Sequence, residues 1–246
     1  MARVSSRRVA KFAVRPLTAH VPVALGSITH IRTGARQVVL TYDDGPEPGT
    51  TDSIIRILAE RGASATFFML VTRARMNRQL VRDVLSGGHE VALHGPDHRR
   101  LTSIPYRDVI IRTRDAKAEL EDLAGAPVRF FRPPYGAQSP LTRHAVHRAG
   151  LMPVMWSGTT WDWKEATDEQ RIGKAMSHTR PGAILLAHDS YADSLDGAHD
   201  GPAPSVDRAQ LATALLDALE SRGFVARSLS HALENGTAVT RGVFSR

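Results

Sequence analysis

Two adjacent carboxylates follow an apolar run near the start of the sequence. Asp43 and Asp44 come directly after the run 38–42, and Gly45-Pro46 restricts the backbone behind them. Adjacent carboxylates repel each other, and burying such a pair is costly unless a positive charge lies between or beside them. Asp-Gly and Gly-Pro also form turns, so a simple turn is the alternative interpretation. Chemistry at this position therefore requires a cation held by other parts of the chain.

A pair of histidines could hold that cation as a metal ion. His94 and His98 enclose the residues Gly-Pro-Asp, a spacing that brings two imidazoles to one side of a tight turn. The chain has no cysteine, so a metal has to be held by histidine and carboxylate. Catalytic zinc takes three such ligands and keeps a position for water. One of the two aspartates would complete the set with both histidines, and the other would be free to act as a base.

Three more polar residues follow strand-like runs further along the chain. Arg132 begins the sequence Arg-Pro-Pro-Tyr-Gly, whose prolines could fix a backbone N–H towards a substrate oxygen. Asp162 and His188 follow two later runs. The alternative interpretations are a surface charge for Arg132 and a buried core histidine for His188. Because the carboxyl ends of parallel strands share one face, we expect all these polar residues to meet there.

Strand-like and helix-like patterns alternate along the chain. Seven short β-branched or aromatic runs predict strands at 38–42, 65–70, 90–93, 128–131, 152–156, 183–187 and 224–227. Apolar residues at helical spacing predict helices at 51–61, 77–86, 106–123, 140–148, 168–177 and 206–222. This alternation predicts an α/β fold around a parallel sheet, open or closed.

The composition fits one globular domain with a basic surface. The chain has 246 residues, of which 42% are hydrophobic and 23% are charged. Its net charge of +7 suits an anionic partner, such as an anionic membrane or a cell-wall polymer. Beyond the N-terminus, no basic run is interleaved with aromatic residues, so we expect no nucleic-acid partner.

The first residues carry a weak export pattern. Residues 6–8 (SRR) resemble the start of a twin-arginine signal. However, Arg15, Pro16 and His20 interrupt the apolar stretch that should follow. We interpret residues 1–35 as a basic N-terminal extension, and we expect a cytoplasmic or membrane-peripheral protein in preference to an exported one.

The polar residues belong to five short motifs that resemble those of the polysaccharide deacetylases, the NodB homology domain of carbohydrate esterase family 4. The motifs are, in order, TYDDGP at 41–46, HGPDH at 94–98, RPPYG at 132–136, DW at 162–163 and LAH at 186–188. The resemblance implies a distorted (β/α)7 barrel of the polysaccharide deacetylase type over residues 36–235, followed by a C-terminal tail of residues 236–246. It also implies a hydrolase that uses a divalent metal, with zinc as the expected ion, to remove N-acetyl groups from the amino sugars of a glycan.

The resemblance implies a role for each matched residue. Asp43 would be the general base and would be held ionised by Arg132. His188 would be the general acid, tuned by Asp162, and the backbone N–H of Tyr135 would bind the oxyanion. The implied metal ligands are Asp44, His94 and His98, and the implied lining of the substrate pocket is Tyr135, Pro133, Trp163 and Leu186.

Three positions depart from the motifs of the family. Tyr42 replaces the usual Phe, Gly95 replaces the usual Ser or Thr, and Thr159 stands where many members have an Asp. None of them removes an implied ligand or catalytic group. Gly95 keeps open a deformylase, or another C–N amide hydrolase, acting on a lipid-linked sugar or a small amide. A non-catalytic glycan-binding module is a further alternative, although Asp43, His188 and the three implied metal ligands are all present.

Overall fold

The structure is a computed structural model, and it describes residues 26–245. The twin-arginine-like segment therefore lies outside the described residues. The strands are β1 (Ser27–Arg32), β2 (Gln37–Asp43), β3 (Thr66–Leu70), β4 (Glu90–Gly95), β5 (Phe130–Phe131), β6 (Met152–Pro153), β7 (Gly158–Thr159), β8 (Ile184–His188), β9 (Val225–Arg227) and β10 (Thr237–Arg241). The helices are α1 (Thr51–Glu60), α2 (Val71–Met76), α3 (Arg78–Ser86), α4 (Tyr106–Ala124), α5 (Pro140–Arg148), α6 (Asp168–Met176), α7 (Arg208–Ser221) and α8 (Leu229–Glu234).

A curled parallel sheet is built around β2. The strand order is β6-β5-β4-β3-β2-β8-β7, and β9 pairs with the first half of β2. Helices α1, α3, α4 and α7 pack their apolar residues against one face of this sheet. The predicted alternation of strands and helices is confirmed. No helix within residues 26–245 combines the length and the apolar character that crossing a bilayer requires.

The side chains of β2 alternate between two apolar layers. Val38 and Leu40 pack beneath the helices, whereas Val39 packs in the interior of the curled sheet. Because side chains alternate along a strand, Thr41 and Asp43 also point to the interior. All seven residues of the strand are buried. The strand therefore delivers a carboxylate to the interior at its carboxyl end.

Two strands outside the predicted domain range 36–235 pair with each other. β1 and β10 form an antiparallel sheet, and β1 bridges to the barrel at Val154 and Ala183. Ile28 and Ile31 of β1 are buried in the interior layer. The domain thus includes residues on both sides of the predicted range. The pairing joins residues more than 200 positions apart, so neither short run revealed its partner in the sequence.

Short elements account for the other differences from the prediction. The sequence did not predict α2, β7 or α8, which span six residues or fewer and are too short to show a periodic pattern. The strands predicted at 128–131 and 152–156 shorten to two residues each.

Candidate active site

The residues predicted to do chemistry meet at the carboxyl ends of the parallel strands. Most of them line a cavity of about 420 Å³, while Arg132 and Asp162 are buried against the lining residues Asp43 and His188. The predicted residues that line it are Asp43, Asp44, His94, His98, Tyr135, Trp163, Leu186 and His188. Sequence analysis did not single out five other lining residues, which are Arg100, Trp156, Tyr191, Ala192 and Asp200.

Three of these side chains form a compact metal-ligand group. Oδ1 of Asp44 lies 3.4 Å from Nε2 of His94 and 3.3 Å from Nε2 of His98. Ligand atoms about 2 Å from a tetrahedral ion are about 3.3 Å from each other, so this spacing fits a divalent metal. Within residues 26–245, no other group of three such side chains comes this close together.

The protonation of the group also fits a metal ion. Nδ1–H of His94 donates to the Arg132 carbonyl at 2.8 Å, which leaves Nε2 as the ligand atom. Burial lowers the pKa of His98 to about 4, so its imidazole is neutral near pH 7. Burial alone would raise the pKa of Asp44, but its close approach to His94 and to the other histidines outweighs that effect and lowers the pKa. Oδ1 of Asp44 has no hydrogen-bond partner among the described residues, as expected of an atom that binds a metal.

A buried arginine supplies the positive charge beside the other aspartate. Nη1 of Arg132 lies 2.7 Å from Oδ1 of Asp43 and donates to the Thr41 hydroxyl at 2.8 Å. Arg132 is fully buried, and its guanidinium lies over the Phe68 ring at 4.1 Å. The charge of Asp43 is therefore balanced by Arg132, whereas a cation held by the metal-ligand group would balance the charge of Asp44.

On the opposite wall, a buried carboxylate orients a histidine. Nδ1–H of His188 donates to Oδ1 of Asp162 at 2.8 Å, and the backbone N–H of His188 donates to Oδ2 at 2.7 Å. Burial lowers the pKa of His188, but the charge of Asp162, its hydrogen bond and the more distant carboxylates outweigh this effect and raise the pKa to about 9. Arg208, at the start of α7, donates to Oδ2 of Asp162 at 3.1 Å. Arg208 is 46 positions from Asp162 along the chain and lies outside the motifs, so the sequence did not predict this contact.

We expect Asp162→Asn to move the alkaline limb of the pH–rate profile to lower pH. His188 carries its proton below its pKa, so an activity that needs this proton falls as the pH rises through that pKa. Removing the Asp162 charge lowers the pKa, and the limb should move down by about 1 to 3 pH units. The measurement is kcat/KM against pH. Asp168→Asn is the control, because Asp168 pairs with Arg171 on α6. An unchanged limb in Asp162→Asn would contradict the pairing.

Three of the four predicted substrate-pocket residues, Tyr135, Trp163 and Leu186, line the cavity. The Tyr135 and His98 rings lie edge to face at 4.3 Å, and the Trp163 and His188 rings at 5.4 Å. Pro133 is buried and is not among the residues that line the cavity, so its contact with the substrate stays a prediction. The ring of Pro133 restricts the backbone of the loop that carries Tyr135.

Left-handed backbone conformations coincide with the site. Among residues 26–245, the non-glycine residues with positive φ are Asp44 (77°), Tyr135 (61°) and Trp161 (60°). Asp44 belongs to the metal group, Tyr135 lines the cavity and Trp161 directly precedes Asp162. Non-glycine residues rarely adopt this backbone conformation, and those that do are concentrated at functional sites.

Another buried carboxylate, Asp189, was not predicted from the sequence and fixes the turn after Asp44. Asp189 accepts the Gly45 N–H at 3.1 Å and the Thr51 hydroxyl at 2.6 Å. Burial raises its pKa to about 7. A Cβ at position 45 would lie 2.0 Å from Oδ2 of Asp189, so only glycine fits there. The position of Asp189 directly after the fifth motif was the available signal.

The backbone conformation at position 95 explains why the second motif has a glycine there. Gly95 has a φ of +136°, and a Cβ there would lie 2.7 Å from the Asp97 carbonyl oxygen. Ser or Thr would be strained in this conformation. The loop still brings His94 and His98 to the same carboxylate oxygen. The departure from the motif therefore leaves the ligand geometry intact.

Comparison with known proteins identifies the family of the chain. A family model described as "Polysaccharide deacetylase" matches residues 30–154. A chitooligosaccharide deacetylase of Azorhizobium caulinodans is 34% identical over 209 residues, which cover 83% of this chain and 98% of that protein. The chain belongs to the polysaccharide deacetylase family.

Solved structures related to this polysaccharide deacetylase share its fold. A family 4 carbohydrate esterase from Streptomyces lividans, in complex with acetate, has a TM-score of 0.68 at 25% identity and covers 82% of this chain and 97% of that chain. A CE4 family pseudoenzyme from Bacillus anthracis has a TM-score of 0.74 at 18% identity, with coverages of 88% and 72%. The predicted distorted (β/α)7 barrel is confirmed. Because an esterase and a pseudoenzyme share this fold, the fold alone does not establish an activity.

Proposed function

We propose that this polysaccharide deacetylase family member removes N-acetyl groups from N-acetylglucosamine-type sugars of an oligo- or polysaccharide. One observation carries the proposal. A metal-ligand group, an Asp43–Arg132 pair and an Asp162–His188 pair surround one cavity. A pseudoenzyme would be expected to lose one of these groups. The relative that acts on chitooligosaccharides and the esterase that binds acetate support an acetylated amino sugar as the substrate class.

The metal group has a defined place in this proposal. Asp44, His94 and His98 would hold the divalent ion, and we propose that the ion is zinc, because histidine and carboxylate with a free position are its usual catalytic ligand set. When bound, such an ion polarises a carbonyl and lowers the pKa of a water molecule. The other steps fall to the side chains around it.

The remaining residues move protons and bind the developing charge. Asp43 accepts the proton of the attacking water while Arg132 holds the carboxylate in place. The backbone N–H of Tyr135 binds the carbonyl oxygen as negative charge develops on it. His188 donates its proton to the sugar nitrogen as the C–N bond breaks, and Asp162 keeps its ring oriented. The products are acetate and a free amino sugar.

Acetate release from N-acetylglucosamine oligomers tests the proposal. The purified protein is treated with a chelator and then titrated with zinc, and acetate is measured throughout. We expect no release after chelation and recovery on adding zinc. Formate release from an N-formyl sugar without acetate release would replace the deacetylase with a deformylase. No release while zinc is bound would overturn the hydrolase and favour a glycan-binding module.

We infer that the glycan is anionic or attached to an anionic surface, such as a membrane or a cell-wall polymer. The net charge of +7 supports this inference, because a basic protein concentrates anionic partners at its surface. The same acetate assay, run on neutral and anionic glycans at increasing ionic strength, tests it. Salt should slow only the reaction on the anionic glycan. Equal salt dependence for both would contradict the inference.

A further inference from the structure

A buried arginine outside the five motifs binds a loop beside the cavity. Arg73 lies on α2 and is 7% exposed. Its Nε donates to Oδ2 of Asp196 at 2.9 Å, and its Nη2 donates to the Tyr191 carbonyl at 3.0 Å. Its Nη1 donates to the Ser190 hydroxyl and to Glu47. Most of the guanidinium donors therefore go to one short stretch of chain, residues 190–198, which we call the 190–198 loop.

The 190–198 loop in turn contacts two of the three metal-ligand candidates. The backbone N–H of Ala192 donates to Oδ2 of Asp44 at 3.3 Å. The backbone carbonyl of Asp196 accepts the N–H of His98 at 2.7 Å. Asp44 thus has one carboxylate oxygen held by the loop and the other free for a metal. His98 is held through its own backbone.

The loop has few apolar anchors among the described residues. Ala192 and Ala198 pack against Leu70, while Leu195 is 79% exposed. Two alanine side chains bury little apolar area, so hydrophobic contact contributes little to fixing the loop. Polar contacts hold the loop instead, and the buried ion pair between Arg73 and Asp196 is the central one. A guanidinium and a carboxylate bond in a fixed geometry, so this pair fixes the position of the loop.

We propose that Arg73 is a positioning residue for the metal centre. By binding the 190–198 loop, it keeps the Ala192 N–H on Asp44 and the Asp196 carbonyl on His98. This inference rests on the metal-dependent function proposed above, and it adds a residue from outside the five motifs. Groups that orient metal ligands typically change metal affinity 10- to 100-fold when they are replaced.

Two variants test the role of Arg73 through metal binding. Arg73→Lys keeps the charge but cannot form the forked contacts. The double variant Arg73→Gln with Asp196→Asn replaces the ion pair by neutral hydrogen-bonding groups, so no buried charge is left alone. The matched control is Arg171→Gln with Asp168→Asn. Arg171 is 2% exposed and pairs with Asp168 at 3.0 Å, but its other contacts do not involve metal-ligand candidates.

The measurements are the Zn²⁺ dissociation constant, by competition with a chromophoric chelator, and the visible spectrum of the Co²⁺-loaded protein. Circular dichroism and thermal melting verify folding. We expect both Arg73 variants to bind Zn²⁺ about 10- to 100-fold more weakly with an altered Co²⁺ spectrum, and the control to match the wild type. Wild-type affinity in a folded Arg73 variant, or equal weakening in the control, would overturn the inference. Failure of the wild type to bind Zn²⁺ would instead overturn the proposed function on which it rests.

Discussion

Asp43→Asn should lower kcat by about 10²- to 10⁴-fold, the usual contribution of a general base. Asparagine has the shape of aspartate and can still accept a hydrogen bond from Arg132, but it cannot take a proton from water. The loss should appear in kcat with little change in KM, because the side chain acts on the reacting water. Acetate release under saturating zinc is the measurement.

A control and a binding measurement make the Asp43 result specific. Asp52→Asn makes the same chemical change on the exposed face of α1 and should leave the rate unchanged. Zn²⁺ affinity should be retained in Asp43→Asn, since Asp44 and the two histidines form the ligand group. A wild-type rate in Asp43→Asn would end the mechanism proposed for this cavity.

His188→Ala should lower kcat on the N-acetyl glycan by a similar factor, about 10² to 10⁴. An amine is a poor leaving group until its nitrogen is protonated, so amide cleavage depends on the proton of His188. A nitrophenyl acetate releases a phenolate that needs no proton. We therefore expect this variant to keep most of its activity on the activated ester, whereas Asp43→Asn loses activity on both substrates.

Comparing the two substrates separates the acid from the base. The ratio of amide to ester hydrolysis should fall steeply in His188→Ala and stay near the wild-type ratio in Asp43→Asn. Equal losses on both substrates in His188→Ala would show that the histidine does not act as the acid. Circular dichroism serves as the folding control. We expect the variant to fold, because Asp162 keeps Arg208 as a partner.

The sequence predicted the catalytic and metal-ligand candidates because each lies within a few residues of the end of a strand. Parallel strands bring those ends together, so their meeting required only the fold class. The residues that hold these side chains in place could not be predicted from the sequence. Arg73 and its partner Asp196 are 123 positions apart, and Arg208 is 46 positions from Asp162. Their contacts depend on the path of the irregular segment between β8 and α7, which no periodic pattern describes.

The motif residues also predicted one detail of the backbone, the turn after Asp44. Gly45 precedes a proline and closes the turn after Asp44, and the structure shows that the Asp189 carboxylate occupies the space of a Cβ there. The pairing of β1 with β10 was not predictable in the same way. The two strands lie at opposite ends of the described chain, and neither run is long enough to predict such a partner.

The left-handed conformations of Asp44, Tyr135 and Trp161 limit how far this enzyme could be adapted to heat by directed evolution. Glycine would relax the backbone at each position, and such relief is worth about 1 kcal/mol or more per residue. At Asp44 and Tyr135 it would also delete a metal-ligand candidate and a cavity wall. Selection for thermal tolerance should therefore collect its gains in the helices and surface loops, leaving the barrel mouth as the least optimised part of the fold.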